Sequence, residues 1–366
     1  MDDARRHYLD LIRHDGVTLT PELAAAFAAV PREVFVPDGF HRRDGRLVVP
    51  ADPEFLPAVY SNEVLVTKLS DGRPVSSSSQ PSLMAVMLAA LEVRPGMRVL
   101  EIGAGTGYNA ALLTALGAAV TTVDVQADVA ERARAALARS GTTGVRVEIA
   151  DGYTGGPAGA YDRIIVTVGV AGISPHWLDR LAPDGLIIAP VEHAGVHPVL
   201  AVRPDRTGLT ATVICPAGFM SAAGPLTARH PGSHPAPVAG LTDLVEAVPP
   251  RWDPPLTGLP YRDLWYAAGA WHRRVTHASN DVVVLDGTGT GGAVVTPAGA
   301  VLATGEEPDR YAAVADALVS RWESLGRPPM SAWTVRLAEA GPILVPVEWR
   351  HQVPERRSRQ GRPSGS

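Results

Sequence analysis

The run Val99-Leu-Glu-Ile-Gly-Ala-Gly-Thr-Gly-Tyr108 constrains this chain more than any other stretch. Five residues, Arg98 to Ile102, form a short apolar run that carries one acid. Glycines follow at alternate positions, 103, 105 and 107, and Ala-rich apolar sequence from Asn109 to Leu116 comes next. That order reads as strand, glycine turn and helix, the opening unit of a doubly wound α/β domain. Glycine lets backbone approach a ligand more closely than any side chain permits. The spacing is G-x-G-x-G, whereas the dinucleotide fingerprint is G-x-G-x-x-G, and no Lys-Ser/Thr follows to make a phosphate loop. Glu101, two residues before the first glycine, disfavours a pyrophosphate. It suits a cationic ligand such as S-adenosylmethionine, which carries a sulfonium and an α-amino group.

Two more acids fall at strand ends. The run Ala119 to Val125 contains Asp124, about 20 residues beyond the glycines, where a carboxylate can accept ribose hydroxyls. The run Val145 to Ala150 leads into Asp151-Gly152, where a carboxylate can accept an adenine amino group. The expected cofactor site is therefore Glu101, Gly103, Ala104, Gly105, Thr106, Gly107, Tyr108, Asp124, Val125, Asp151 and Gly152. The expected fold is α/β: a Rossmann-like class I S-adenosylmethionine methyltransferase with a C-terminal α+β extension.

Alternation continues along the chain. Helices are expected at 21–30, with Thr20 as N-cap and Pro21 at the first position, and at 81–92. Strands are expected at 119–125, 145–150, 161–168, 186–190, 197–203 and 209–215, with a helix at 127–139. This order fits a parallel sheet with an antiparallel edge. Residues 1–75 read as a cap of short helices and irregular chain, and 76–223 as the cofactor-binding core. Residues 224–237, rich in Pro, Gly, Ala and His, read as a linker. Every tryptophan except Trp177 lies beyond residue 250, which points to a further core over 238–350 that could recognise a peptide. Residues 351–366 are polar, Arg-rich and expected to be disordered.

Composition narrows the class. The net charge of −5 gives no bulk electrostatic reason to bind nucleic acid or membrane. Lys68 is the sole lysine and Cys215 the sole cysteine, so neither a disulfide framework nor a thiolate metal cluster is expected. No apolar run reaches spanning length and no signal peptide opens the chain, so a cytoplasmic enzyme is expected. His193 and His197 have metal-like spacing but no acidic or cysteine companions in sequence, so no metal is expected. Leu264, Trp265, Ala268 and Trp271 share one helical face, read as a core stripe. Ser76 to Ser79 could simply cap the helix that follows, through Ser79 or Ser82.

A family resemblance adds to this. The glycine motif, Asp124, Asp151-Gly152, Ala160-Tyr-Asp-Arg-Ile-Ile-Val-Thr167 and Leu181-Ala-Pro-Asp-Gly-Leu-Ile-Ile-Ala-Pro-Val191 resemble the protein-L-isoaspartate O-methyltransferases. So do Val30-Pro-Arg-Glu-Val-Phe-Val-Pro37 and Ser79-Gln-Pro81, which is similar to that family's Ser-x-Pro substrate segment. The resemblance runs over roughly residues 8–215. It implies methyl transfer from S-adenosylmethionine to a peptide carboxylate, leaving S-adenosylhomocysteine. It assigns Ser79 to the catalytic contact with the accepting carboxylate, and Ser78, Gln80 and Pro81 to the substrate. Departures are the four serines 76–79, Glu192-His193 where glycine is usual, and the Trp-rich extension. Those departures resemble the peptide aspartate O-methyltransferases of lanthipeptide, lasso-peptide and graspetide pathways. The resemblance then implies a modified precursor peptide as partner, an aspartate side chain as acceptor, and closure of the ester to aspartimide. The alternatives are L-isoaspartyl repair and a non-catalytic cofactor-binding scaffold.

Overall fold

The structure is a computed structural model that describes residues 2–206, 208–227, 241–278 and 281–351. Its centre is a nine-stranded sheet. In spatial order the strands are Val145–Ile149, Ala119–Asp124, Arg98–Ile102, Tyr161–Val166, Leu181–Pro190, Val199–Asp205, Gly208–Cys215, Trp333–Ala340 and Ile343–His351. The first five are mutually parallel and the last four antiparallel. From Arg98–Ile102 the chain winds outward through two strands, then returns to pair Tyr161–Val166 on the other side. That reversal is the topological switch point, where open α/β sheets place their ligands beyond the strand C-termini.

The expected elements of this core form nearly where the sequence places them. Helices run Pro21–Ala29, Pro81–Leu91, Tyr108–Ala115 and Ala127–Arg139. Thr20 caps the first, its side chain accepting from the Leu23 N–H at 3.3 Å. Helix Pro81–Leu91 is not capped by Ser79 or Ser82. Its N-cap is Gln80, without a side-chain cap bond, and Asn62 Oδ1 accepts from the Ser82 N–H at 2.9 Å. The four serines are therefore free of the capping role.

Two regions differ from expectation. The N-terminal part also holds a four-stranded antiparallel sheet, in the order Leu47–Val48, Phe40–His41, Leu65–Ser70, Arg73–Ser78. Two of these strands have only two residues, and the other two are largely polar, so none shows a clear apolar alternation. The boundary drawn between residues 75 and 76 falls inside the last strand. In the C-terminal part, five antiparallel strands between Val245 and Thr304 pack with helices Leu259–Trp271 and Pro308–Ser324. The hairpin Trp333–His351, however, extends the central sheet. The expected linker beyond Thr227 and the tail beyond His351 lie outside the described residues.

Alternation on the central strands divides the core. Val99 packs with Tyr8, Phe27, Leu88 and Leu112 on one face. Leu100 and Ile102 pack on the other, in one cluster with Trp177, Trp252, Tyr266, Trp322 and Trp333. The N-terminal cap and the C-terminal extension thus cover opposite faces of one sheet. The tryptophans cluster in sequence because the extension supplies one whole covering layer. No helix among the described residues is long and apolar enough to cross a membrane.

Candidate active site

A cavity of about 910 Å³ opens at the switch point. One wall comes from the parallel strand tips. Glu101, Gly103, Ala104, Gly105, Thr106, Tyr108, Asp124, Val125, Asp151 and Gly152 all line it. Gly107 does not. A Cβ there would meet the Ala133 carbonyl oxygen at 3.2 Å, so its task is to let helix 127–139 approach. At Gly103 a Cβ would meet Thr167 Oγ1 at 2.6 Å, and φ is +100°, so only glycine fits.

The three acids sit in three environments. Glu101 is fully buried, and Asn109 Nδ2 donates to its Oε1 at 2.7 Å. Its Oε2 is buried and has no hydrogen-bond partner among the described residues, and the residue lines the cavity. Burial pushes its pKa to about 7; Thr122 and Asn109 temper the rise and Asp124 adds to it. Asp124 is fixed by backbone, accepting from the Gly105 N–H at 3.2 Å and the Gln126 N–H at 3.0 Å. Burial raises its pKa, and those N–H groups pull it back. Asp151 is exposed and accepts from the Tyr153 N–H at 2.9 Å. A buried carboxylate oxygen without a donor costs free energy unless a ligand supplies one.

The facing wall is the hairpin of the N-terminal sheet. Ser76, Ser77, Ser78 and Ser79 line the cavity, together with Lys68, Arg73 and Val75. Gln80 and Pro81 do not line it; they start helix Pro81–Leu91. The hairpin is pinned to the first wall. Lys68 Nζ donates to Gln126 Oε1 at 2.8 Å and Asp128 Oδ1 at 2.7 Å, and Gln126 Nε2 donates to the Val75 carbonyl at 3.1 Å. A Cβ on Gly105 would lie 3.1 Å from the Ser77 carbonyl oxygen, so the two walls nearly touch there.

Sequence reasoning named no site role for Arg32, yet this side chain holds the serines. Arg32 is fully buried. Its guanidinium donates to the carbonyls of Val59 at 2.9 Å, Ser61 at 3.2 Å, Glu63 at 3.1 Å and Ser79 at 2.9 Å. Nε donates to Ser78 Oγ at 3.4 Å. Its carbon Cζ lies 6.0 Å from the Tyr8 ring centroid and 5.8 Å from that of Tyr108, the residue after the glycine turn. Ser78 Oγ is thus engaged by the guanidinium, while Ser79, on the same lining, gives it only its carbonyl. The available signal was the adjacent pair Arg32-Glu33 amid the otherwise apolar and turn-forming run Val30 to Pro37.

A third contribution also went unread. Residues 219–224 and Leu226 also line the cavity. They are held by backbone: Gly169 N–H to the Met220 carbonyl at 2.8 Å, Ala222 N–H to the Gly169 carbonyl at 2.7 Å, and Ala171 N–H to the Leu226 carbonyl at 2.9 Å. His193 and His197 lie elsewhere; His193 Nε2 is 2.8 Å from the Tyr266 carbonyl. Among the described residues no cluster of three His, Cys, Asp or Glu could hold a metal.

Known proteins share this architecture. A family model described as protein-L-isoaspartate(D-aspartate) O-methyltransferase matches residues 3–214. A protein-L-isoaspartate O-methyltransferase of Methanoculleus marisnigri is 40% identical over 168 residues, covering 46% of this chain and 67% of that protein. One from a Roseiflexus species is 32% identical over 221 residues, covering 60% of this chain and 92% of that protein. A solved structure of a protein-L-isoaspartate O-methyltransferase aligns with a TM-score of 0.56 at 23% identity, over 95% of this chain and all of that one. That last alignment corrects one expectation. The C-terminal extension has a structural counterpart there, so as a fold it is no departure from a protein of that name.

Proposed function

The chain belongs to the protein-L-isoaspartate(D-aspartate) O-methyltransferase family, and from that premise we propose that it methylates the α-carboxylate of isoaspartyl residues in peptides and proteins. It is an S-adenosylmethionine-dependent protein carboxyl O-methyltransferase. The single observation that carries the finer reading is the shared cavity, with Ser79 on one wall and Glu101, Asp124 and Asp151 on the other.

The residues present fit the cofactor. Glu101 Oε2 is a buried acceptor without a donor, suited to an α-amino group. Asp124 has one N–H on each oxygen and keeps lone pairs for ribose hydroxyls. Asp151 and Gly152 would meet the adenine. When bound, the cofactor supplies an electrophilic methyl group. The acceptor carboxylate is ionised near pH 7, so no general base is required. Ser79 donates a hydrogen bond to one carboxylate oxygen and leaves the other as nucleophile. The walls strip water and hold that oxygen in line, which is where the rate enhancement comes from.

The product ester has methoxide as leaving group. The following backbone nitrogen attacks the ester carbonyl, methanol departs, and a five-membered imide closes without any enzyme residue. Water then reopens the imide, in part to the normal aspartyl linkage, which makes the cycle a repair. The finer natural-product reading, esterification of an aspartate side chain in a constrained precursor with aspartimide as end product, uses the same chemistry. It rests on the serine run and the Glu192-His193 departure alone.

The test is methyl transfer to linear peptides that differ only in isoaspartyl or aspartyl linkage, with a cyclised aspartyl peptide alongside. Turnover of the linear isoaspartyl isomer supports repair. Turnover of the cyclised aspartyl peptide alone supports the natural-product reading and overturns this one.

A further inference from the structure

The strand Arg73–Ser78 presents two faces. Ser76 and Ser78 are buried, Ser76 Oγ 3.4 Å from the hydroxyl of Thr67 and Ser78 on the guanidinium of Arg32. Arg73, Val75, Ser77 and, just past the strand, Ser79 occupy the alternate, less buried positions and line the cavity. Register shifts opposite Lys68 break the alternation between Pro74 and Ser76, so what Arg73 shares with the serine expected to touch the acceptor is the cavity lining. It sits immediately after the two-residue turn Asp71-Gly72, paired in register with Ser70.

Charge around the cavity is uneven. The cofactor wall carries Glu101, Asp124 and Asp151. Basic groups on the lining are Lys68 and Arg73. Lys68 is compensated by Asp128 at 2.7 Å. The Arg73 guanidinium makes no hydrogen bond or ion pair among the described residues. The acceptor side thus carries one uncompensated positive charge, on the lining that also holds Ser79.

Six residues along the chain separate them, at most roughly 20 Å at about 3.3 Å per residue and less where the register shifts at Val75. One carboxylate cannot touch both. An extended peptide advances at the same rate, so a group meeting Arg73 lies about four to six residues from the one meeting Ser79. We propose that Arg73 is a specificity-determining residue that selects acceptor peptides carrying an aspartate or glutamate at that distance from the isoaspartyl position. This rests on the isoaspartyl reading above. The charge would also steer acidic segments toward a mouth whose other wall repels them.

The test uses the full-length protein and linear isoaspartyl peptides with Glu, Gln or Lys five residues to either side of the acceptor. Wild-type KM for the best-placed Glu peptide should be roughly two- to fivefold below that of its Lys counterpart, the range of an exposed ion pair, and the gap should shrink in high salt. Arg73→Gln should abolish the ranking and Arg73→Glu invert it, with kcat and donor Kd unchanged. An identical ranking in wild type and Arg73→Gln overturns the proposal. So does a raised donor Kd with the ranking intact, which would place Arg73 on the cofactor. Failure of wild type to methylate any isoaspartyl peptide sinks the underlying reading, and this one with it.

Discussion

The two walls of the cavity are built by different means. The cofactor wall hangs on strand tips of a parallel sheet, where Asp124 takes its orientation from two backbone N–H groups. The wall proposed to take the acceptor is a polar hairpin whose position is set by one buried arginine and one lysine latch. Local backbone geometry fixes the first wall; long-range side-chain contacts fix the second. A substitution should therefore act on donor binding or on acceptor placement according to the wall it touches.

The largest effect expected is at Arg32. Arg32→Met removes donors from at least four carbonyls in a buried setting and should cost about 3–5 kcal/mol of stability, measured by chemical denaturation. A loss under 1 kcal/mol would show that water or other groups replace the guanidinium, and the acceptor wall would need another anchor.

Glu101→Gln comes next and should act on the other wall. Donor Kd, measured by calorimetry, should rise roughly 10- to 100-fold, the range of a charged hydrogen bond. The pH dependence has a defined sign. Glu101 has its pKa raised by burial to about 7 in the fold. The carboxylate form binds the cationic donor, so wild-type affinity should strengthen as pH rises through 7, and the Gln variant should lose that dependence. The apoprotein should show the opposite trend: this group's contribution to stability is complete below its unfolded pKa near 4.5 and is lost as pH rises through about 7. Glu101→Gln should accordingly raise the apoprotein melting temperature above pH 7 while weakening donor binding. A parallel fall in both would contradict the account.

The smallest effect is at Lys68. Its ion pair with Asp128 is partly exposed, so Lys68→Ala should raise the acceptor KM and the donor Kd by no more than about threefold. A tenfold change would mean that the latch governs closure of the whole cavity.

The same contrast explains what the sequence made legible. The strand, glycine turn and helix at 98–115 follow from local chemistry, and so do the three acids at strand ends. Ser79 was named from its Ser-x-Pro context and lies on the cavity lining. Arg32 was not, because its five carbonyl and hydroxyl partners come from residues 59 to 79, and no local pattern announces such a cage. Residues 219–226 were hidden by composition, since their Gly, Ala and Pro content merges with the stretch read as a linker. Their order comes from pairing with Gly169 and Ala171 some 50 residues earlier. The hairpin Trp333–His351 was grouped with the extension by its tryptophans, yet its backbone continues the central sheet.

The central claim is that Ser79 acts on the acceptor from a wall separate from the one that holds the cofactor. The most direct test is the kcat of Ser79→Ala on a linear isoaspartyl peptide, taken with donor affinity by calorimetry. The account predicts a fall in kcat of roughly 10- to 100-fold with donor Kd unchanged. An unaltered kcat, or a loss of donor binding that accounts for the whole defect, would contradict it.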